Sequence, residues 1–177
     1  YKQDTSLFGK LAGDSVDEYE GDLFENPKPT GRNIPLNDVQ LQAPLEPHSI
    51  FALWNNFHER AKKEEQTIPD VPLYFMKPLT SVIGPEQTIY RPRGHQGRVI
   101  FEAELGIVIG SKCREVSESE AAEYIFGYTC VNDVTAVEFL FEDKAFQQWT
   151  RCKGFDTFTP IGPCITTGID PDGMQVK

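Results

Sequence analysis

The chain has 177 residues and a formal charge of −10, from 17 Lys and Arg against 27 Asp and Glu, with a pI near 4.8. So acidic a balance excludes the basic face that nucleic-acid phosphates require, and equally a cationic amphipathic membrane anchor. With 39% hydrophobic, 25% charged and 11% aromatic residues, it reads as a soluble globular chain with a packed core, about one domain long with a small appendage.

The four cysteines, Cys113, Cys130, Cys152 and Cys164, form no CxxC pair and no Cys/His cluster, so neither a zinc site nor a redox motif is expected. A chain of this size does not need disulfide staples, no N-glycosylation sequon occurs, and reduced thiols in the cytoplasm are the expectation. The N-terminal stretch is polar and acidic, and no segment approaches the ~20 apolar residues of a membrane span. Tyr1 is not a methionine, which suits a numbering that begins inside a longer chain.

Residues 1–38 are rich in Asp, Glu, Gly and Pro and read as an appendage or small domain, with the core proper at 39–177. SIFALW (49–54) is expected as a buried strand. FHERAKKEEQ supplies a helix that Asn55 or Asn56 can cap. VPLYFMKP (71–78) is a strand leading into the arginine-rich loop RPRGHQGR, where Arg91, Arg93, Arg98 and His95 concentrate positive charge able to attract an anion. VIFEAELGIVIG (99–110) carries the strongest strand signal. SESEAAEYIF (117–126) is the clearest helix, with a Ser117–Glu120 capping box and Gly127 at the C′ position. YTCVNDV reads as a strand, AVEFLFEDKAFQQW as a helix or lid, and DTFTPIGPCITTG as extended chain. Strands outnumber helices, so the expected fold is a β-rich α+β arrangement.

In 99–110, alternation sends Phe101, Ala103, Leu105, Ile107 and Ile109 to one face and Glu102, Glu104, Gly106 and Val108 to the other. The two carboxylates then project side by side, roughly 7 Å apart at Cβ. That spacing lets them share a cation and makes them costly as bare like charges. Asp133, at the end of the next strand, offers a third oxygen ligand. Three carboxylates suit a hard cation, Mg2+ or Mn2+ or else Ca2+, and not zinc.

FEAELGIVIG, GYTCVNDVTA and KGFDTFTPIGP, preceded by APLEP, NNF and VPLYFMKP, occur in the order and spacing of the fumarylacetoacetate hydrolase (FAH) family, which the chain resembles over roughly residues 39–165. Its members nearest in type are 2-hydroxyhepta-2,4-diene-1,7-dioate isomerases and acylpyruvate hydrolases. The resemblance implies a mixed β-sheet roll with short helices, a homodimer, and a divalent metal held by Glu102, Glu104 and Asp133. Lys153 matches the family's active-site lysine, and Lys77 is a candidate substrate contact. The implied chemistry is hydrolysis of a C–C bond in a small anionic 2-oxo or 1,3-dioxo acid, the metal polarising the substrate and Lys153 adding a fixed positive charge. The alternative is isomerisation or decarboxylation of an unsaturated 2-oxo dicarboxylate, as in aromatic-acid catabolism.

The chain departs from the family pattern in two places. Members carry N-Y-x-x-H-x-x-E after the opening strand, whose His and Glu activate water; aligned on Asn56 and Phe57, Arg60 and Lys63 stand at those positions. His58 is the remaining imidazole nearby and is the candidate general base, with Glu59 or Glu64 to orient it. In the T-A-R-x-x-x-Q signature, Thr135 and Ala136 are followed by Val137, and Leu140 replaces Gln. Members also continue well beyond the PIGP segment, so the resemblance implies a core incomplete at its C-terminus with open strand edges. A non-catalytic, truncated relative is therefore the third reading.

Overall fold

A computed structural model describes residues 7–172 and residue 174. Strands β1 (Phe8–Ala12), β2 (Ser15–Glu20) and β3 (Lys28–Pro35) form an antiparallel meander of their own. Gly13 turns the first hairpin at φ +63°, a conformation that costs a glycine least. Within this sheet the carboxylate of the buried Glu18 faces the Arg32 guanidinium at 2.9 Å.

β4 (Ile50–Trp54) pairs antiparallel with β5 (Leu73–Lys77), and α1 (His58–Lys63) lies in the connection between them. The hairpin is not the buried strand expected from SIFALW: Phe51 and Leu53 are half exposed, because β4 has only one neighbouring strand and that outer face is uncovered. α1 is shorter than its sequence suggested and is not capped by asparagine; Phe57 holds the cap position without a side-chain bond. Asn55 instead takes a left-handed φ of +53° and donates from Nδ2 to the Thr67 carbonyl at 2.9 Å, shaping the turn, as asparagine tolerates.

β6 (Val82–Ile83), β7 (Val99–Ile100), β8 (Ala103–Ile109), α2 (Glu118–Ala121) and β9 (Ile125–Asn132) follow. β10 (Thr135–Ala136), α3 (Val137–Leu140), α4 (Trp149–Lys153) and β11 (Thr159–Thr166) complete the chain. The main sheet has the order β6-β11-β9-β8; only β6 and β11 run parallel. β7 pairs separately with β10.

The single strand expected over 99–110 is thus split at Phe101 and Glu102, where the chain changes partner from β10 to β9. Glu102 spans the break: its N–H donates to Asn132 Oδ1 at 3.1 Å and its carbonyl accepts the Asp133 N–H at 2.9 Å. The helix expected over 117–126 ends early, in one 3-10 turn over Ala122–Tyr124, because Ile125 already enters β9. The capping box forms. Gly127 is a strand residue rather than a helix stop, and a Cβ there would come within 2.5 Å of the Thr166 carbonyl oxygen. Of the helix or lid expected over 136–149, only α3 (Val137–Leu140) forms; 141–148 is irregular, and α4 begins at Trp149 and runs to Lys153.

Val134, Ala136 and Phe158 form the buried nucleus, with Val99, Phe139 and Phe155 packed against it. Val134 and Ala136 flank Asp133 and Thr135 in sequence, so the candidate site is built directly on this close-packed nucleus. The result is a β-rich α+β fold. The four cysteines are unpaired, and among the described residues no helix is long and apolar enough to cross a membrane.

Candidate active site

Alternation along β8 is as expected, and the face that carries the two carboxylates is the inner one. Phe101, Ile107 and Ile109 are exposed, whereas Glu102 and Glu104 turn inward on the half-buried side with Gly106 and Val108. A strand normally buries its apolar set; here the inner side is polar because two lysines from elsewhere in the chain meet the carboxylates.

Lys153 comes from the last turn of α4 and is 2% exposed. Its ammonium group donates to Glu102 Oε1 at 2.7 Å, to Asp133 Oδ2 at 2.7 Å and to Thr135 Oγ1 at 2.6 Å. Lys77, at the end of β5, is equally buried and donates to Asp133 Oδ1 at 2.5 Å and to the carbonyls of Lys153 and Phe158 at 2.7 and 3.2 Å. Burial pushes the Lys77 pKa down, against the pull of Asp133 upward. All six ammonium protons therefore have protein acceptors, as burial demands. Lys77, expected to touch substrate, is in this arrangement a tie between β5, the end of β9 and the carbonyl of Phe158 ahead of β11, with no donor left over.

Thr135 was not singled out as a site residue, yet its hydroxyl accepts from Lys153 and donates to Glu102 Oε1 at 2.6 Å. The available signal was its place two residues after Asp133, on the same side of an extended chain. Replacing it with valine keeps the shape and removes the hydroxyl, leaving Lys153 one acceptor short; urea denaturation is expected to show a loss of about 1–3 kcal/mol.

Glu104 completes the group without a lysine of its own. Burial, followed by the charges of Asp133 and Glu102, pushes its pKa up from 4.5 to about 7. Two ammonium groups thus oppose three carboxylates, and the excess negative charge sits at Glu104. That donor set fits a hard divalent cation in kind, being all oxygen. It is not a preformed cage, however: among the described residues no three acidic, Cys or His side chains lie close enough together to hold an ion.

His58 and Glu59 are exposed at the start of α1, where His58 borders an open groove with Trp54, Asn56 and Val71–Leu73. The carboxylate–lysine bonds involve neither residue. Glu64, expected to orient His58, instead accepts from Arg60 Nε at 2.9 Å, because four residues along a helix bring the two onto one face. That bond, with smaller contributions from the charges of Glu64, Glu102 and Glu104, raises the Arg60 pKa against burial. In the arginine-rich loop Arg98 pairs with Glu138, Arg91 donates to the Gly97 carbonyl, the buried His95 stacks on Phe139, and Arg93 is exposed.

The chain is similar in sequence and in fold to known proteins. Residues 49–176 match the family model for the fumarylacetoacetate (FAA) hydrolase C-terminal domain, and residues 2–44 match the Rv2993c-like N-terminal model. Protein Rv2993c of Mycobacterium tuberculosis is 40% identical over 157 residues, which are 87% of this chain and 58% of that protein. The 2-hydroxyhepta-2,4-diene-1,7-dioate isomerase of Mycobacterium marinum superposes with a TM-score of 0.78 at 38% identity, over 93% of this chain and 61% of that one. The maleylpyruvate hydrolase of Sphingobium sp. SYK-6, solved with manganese(II) and pyruvate, gives 0.69 at 25% identity, over 90% and 63%. The chain spans less than two thirds of the length of each of these three proteins. With this domain matched over residues 49–176, the chain belongs to the fumarylacetoacetate hydrolase family.

Proposed function

We propose that the protein is a cytoplasmic, divalent-metal-dependent enzyme that hydrolyses a C–C bond in a small anionic 2-oxo or 1,3-dioxo acid of the acylpyruvate type. The observation that carries the reading is the buried group of Glu102, Glu104, Asp133 and Lys153, with its unbalanced negative charge at Glu104. Glu102, Glu104 and Asp133 would hold Mg2+ or Mn2+, which when bound supplies Lewis-acid polarisation of the substrate's 2-oxo oxygen. The chain's own contribution is electrostatic. Lys153, itself 2% exposed, holds a fixed positive charge near the place where negative charge develops as the bond breaks. Lys77 and Thr135 keep Asp133 and Glu102 in place, so this charge distribution is set before substrate arrives.

In the overall reaction water adds across the bond, its oxygen joining the departing acyl group as a carboxylate, one of its protons joining the released carbon to give pyruvate and the other passing to solvent. The second reading, isomerisation or decarboxylation of an unsaturated 2-oxo dicarboxylate, draws on one observation: the place where a water-activating base was sought holds Arg60, and His58 lies outside the carboxylate–lysine bonds. Such proton shifts need no hydrolytic water. Incubation with acetylpyruvate and with 2-hydroxyhepta-2,4-diene-1,7-dioate, in Mg2+ or Mn2+, separates the two by product. Stoichiometric pyruvate from the former is the expected result; an isomerised dienedioate with no pyruvate selects the second reading.

A further inference from the structure

We infer that Lys153 is a built-in competitor for the metal, its ammonium group and a divalent cation exchanging on Glu102 and Asp133; the inference rests on the reading of the site given above. The two buried lysines are anchored differently. Lys77 spends two of its three hydrogen bonds on backbone carbonyls, those of Lys153 and Phe158, acceptors that belong to the fold. All three acceptors of Lys153 are side chains, and two of them are the carboxylates of Glu102 and Asp133, each with an oxygen 2.7 Å from Nζ. Lys153 therefore stands where two of the three candidate ligands converge. The same ammonium accounts for the lack of a preformed cage among the described residues: the Glu102 and Asp133 oxygens are drawn onto its nitrogen, away from Glu104.

Charge decides which lysine gives way. Three carboxylates here face two ammonium groups, an excess of one negative charge. A divalent cation added with both lysines in place would leave an uncompensated positive charge in a buried group, which burial penalises. With Lys153 withdrawn, the ion and Lys77 together balance the three carboxylates. Lys77 cannot be the one to leave without also stranding two carbonyls and detaching β5. Lys153 has somewhere to go: the Phe75 ring lies 5.8 Å from its Nζ, within cation–π range, and the half-buried Glu104 marks the side of the group that reaches solvent. The exchange also frees donors. Until the carboxylates are given up, every Lys153 proton has a protein acceptor and an anionic ligand finds none to bond.

The test is lysine acetylation by acetic anhydride, read peptide by peptide by mass spectrometry, on the wild-type protein in EDTA and in saturating Mn2+. Lys153 should be protected in EDTA and in Mn2+ approach the rate of the exposed Lys62 and Lys63. Lys77 should stay protected in both, which controls for unfolding. In parallel, Mn2+ affinity is measured by the EPR signal of the free ion. Lys153→Met, which removes the competitor and supplies no hard ligand, is expected to bind Mn2+ about 10- to 100-fold more tightly than wild type, the scale on which one close charge moves the equilibrium of another. It should also melt below wild type in EDTA and gain more from Mn2+. Protection of Lys153 that persists in saturating Mn2+ overturns the exchange even if Lys153→Met binds more tightly, because loss of any nearby positive charge has that effect. Equal or weaker binding by a folded Lys153→Met overturns it as well. Failure of both wild type and Lys153→Met to bind Mn2+ overturns the metal-dependent reading itself, and the exchange with it.

Discussion

Asp133→Asn is expected to be the most destabilising isosteric change in the molecule. The substitution keeps the shape of a side chain that is 6% exposed and removes the one charge that both buried lysines share, at 2.5 Å from Lys77 and 2.7 Å from Lys153. Lys153 retains Glu102, but Lys77 is left with carbonyl oxygens alone. Breaking a buried pair by removing one partner costs about 3–5 kcal/mol, far more than the pair contributes as a whole. In a chain of this length that corresponds to a fall in Tm of roughly 6–20 °C. The deficit also has a pH signature. Burial already holds the Lys77 pKa below its usual 10.5, and without Asp133 it falls further. A lysine with a depressed folded-state pKa opposes folding below that pKa and regains stability as pH rises toward 10.5. The gap between variant and wild type should therefore narrow as pH rises toward 10.5. Pairing the change with Lys77→Met as a Lys77→Met, Asp133→Leu double variant should recover part of the loss, since replacing both partners by apolar groups removes the stranded charge. A melting curve for Asp133→Asn within 1–2 °C of wild type would mean that the ion pair is not holding β5 to β9.

What the sequence made legible follows from where its signals are local. Period-two alternation in 99–110 is a property of a few consecutive residues, and it correctly separated Glu102 and Glu104 from the isoleucines. Which of the two faces turned inward was not local. It depended on Lys77, 56 residues from Asp133, and on Lys153, 51 residues from Glu102, arriving from β5 and α4 to neutralise a polar interior. The Ser117 capping box was visible for the same reason that alternation was, being contained in four residues. Asn55 misled because asparagine serves both as a helix cap and as a left-handed turn residue, and only the Thr67 carbonyl opposite decides between them. The break at Phe101 and Glu102 had no signal at all in composition; it exists because two different strands, β10 and β9, compete for one continuous extended segment. Lys77 could be picked out from its segment but its acceptors could not, since they arrive from three other stretches of chain.

Glu104→Gln should change the sign of its effect according to whether a divalent cation is present, and this reversal is the sharpest test of the carboxylate group. In EDTA, burial and the charges of Asp133 and Glu102 raise the folded-state pKa of Glu104 from 4.5 to about 7. Below pH 4.5 the carboxyl is neutral whether folded or unfolded and opposes nothing. Between pH 4.5 and 7 the folded chain retains a proton that the unfolded chain releases, so stability falls as pH rises, and the loss is complete above pH 7. Glutamine carries no such charge. The variant should match wild type at pH 4.5 and melt above it at pH 8, by about 2–4 °C for each kcal/mol relieved. Added Mn2+ reverses the order at pH 8. A cation that binds only the folded wild-type protein stabilises it by about 2.7 kcal/mol at a free concentration 100 times its Kd, and a variant lacking one of three carboxylates binds it far more weakly. Glu102→Gln should likewise lose the Mn2+ shift, but without the gain in EDTA, because Glu102 is already paired with Lys153 and Thr135. If Glu104→Gln melts below wild type at pH 8 in EDTA, the inward carboxylate is held by a donor rather than left as an excess charge. If wild type shows no Mn2+ shift under conditions where it is folded, the three carboxylates do not act together on a cation, and the metal-dependent reading fails while the lysine-centred packing stands.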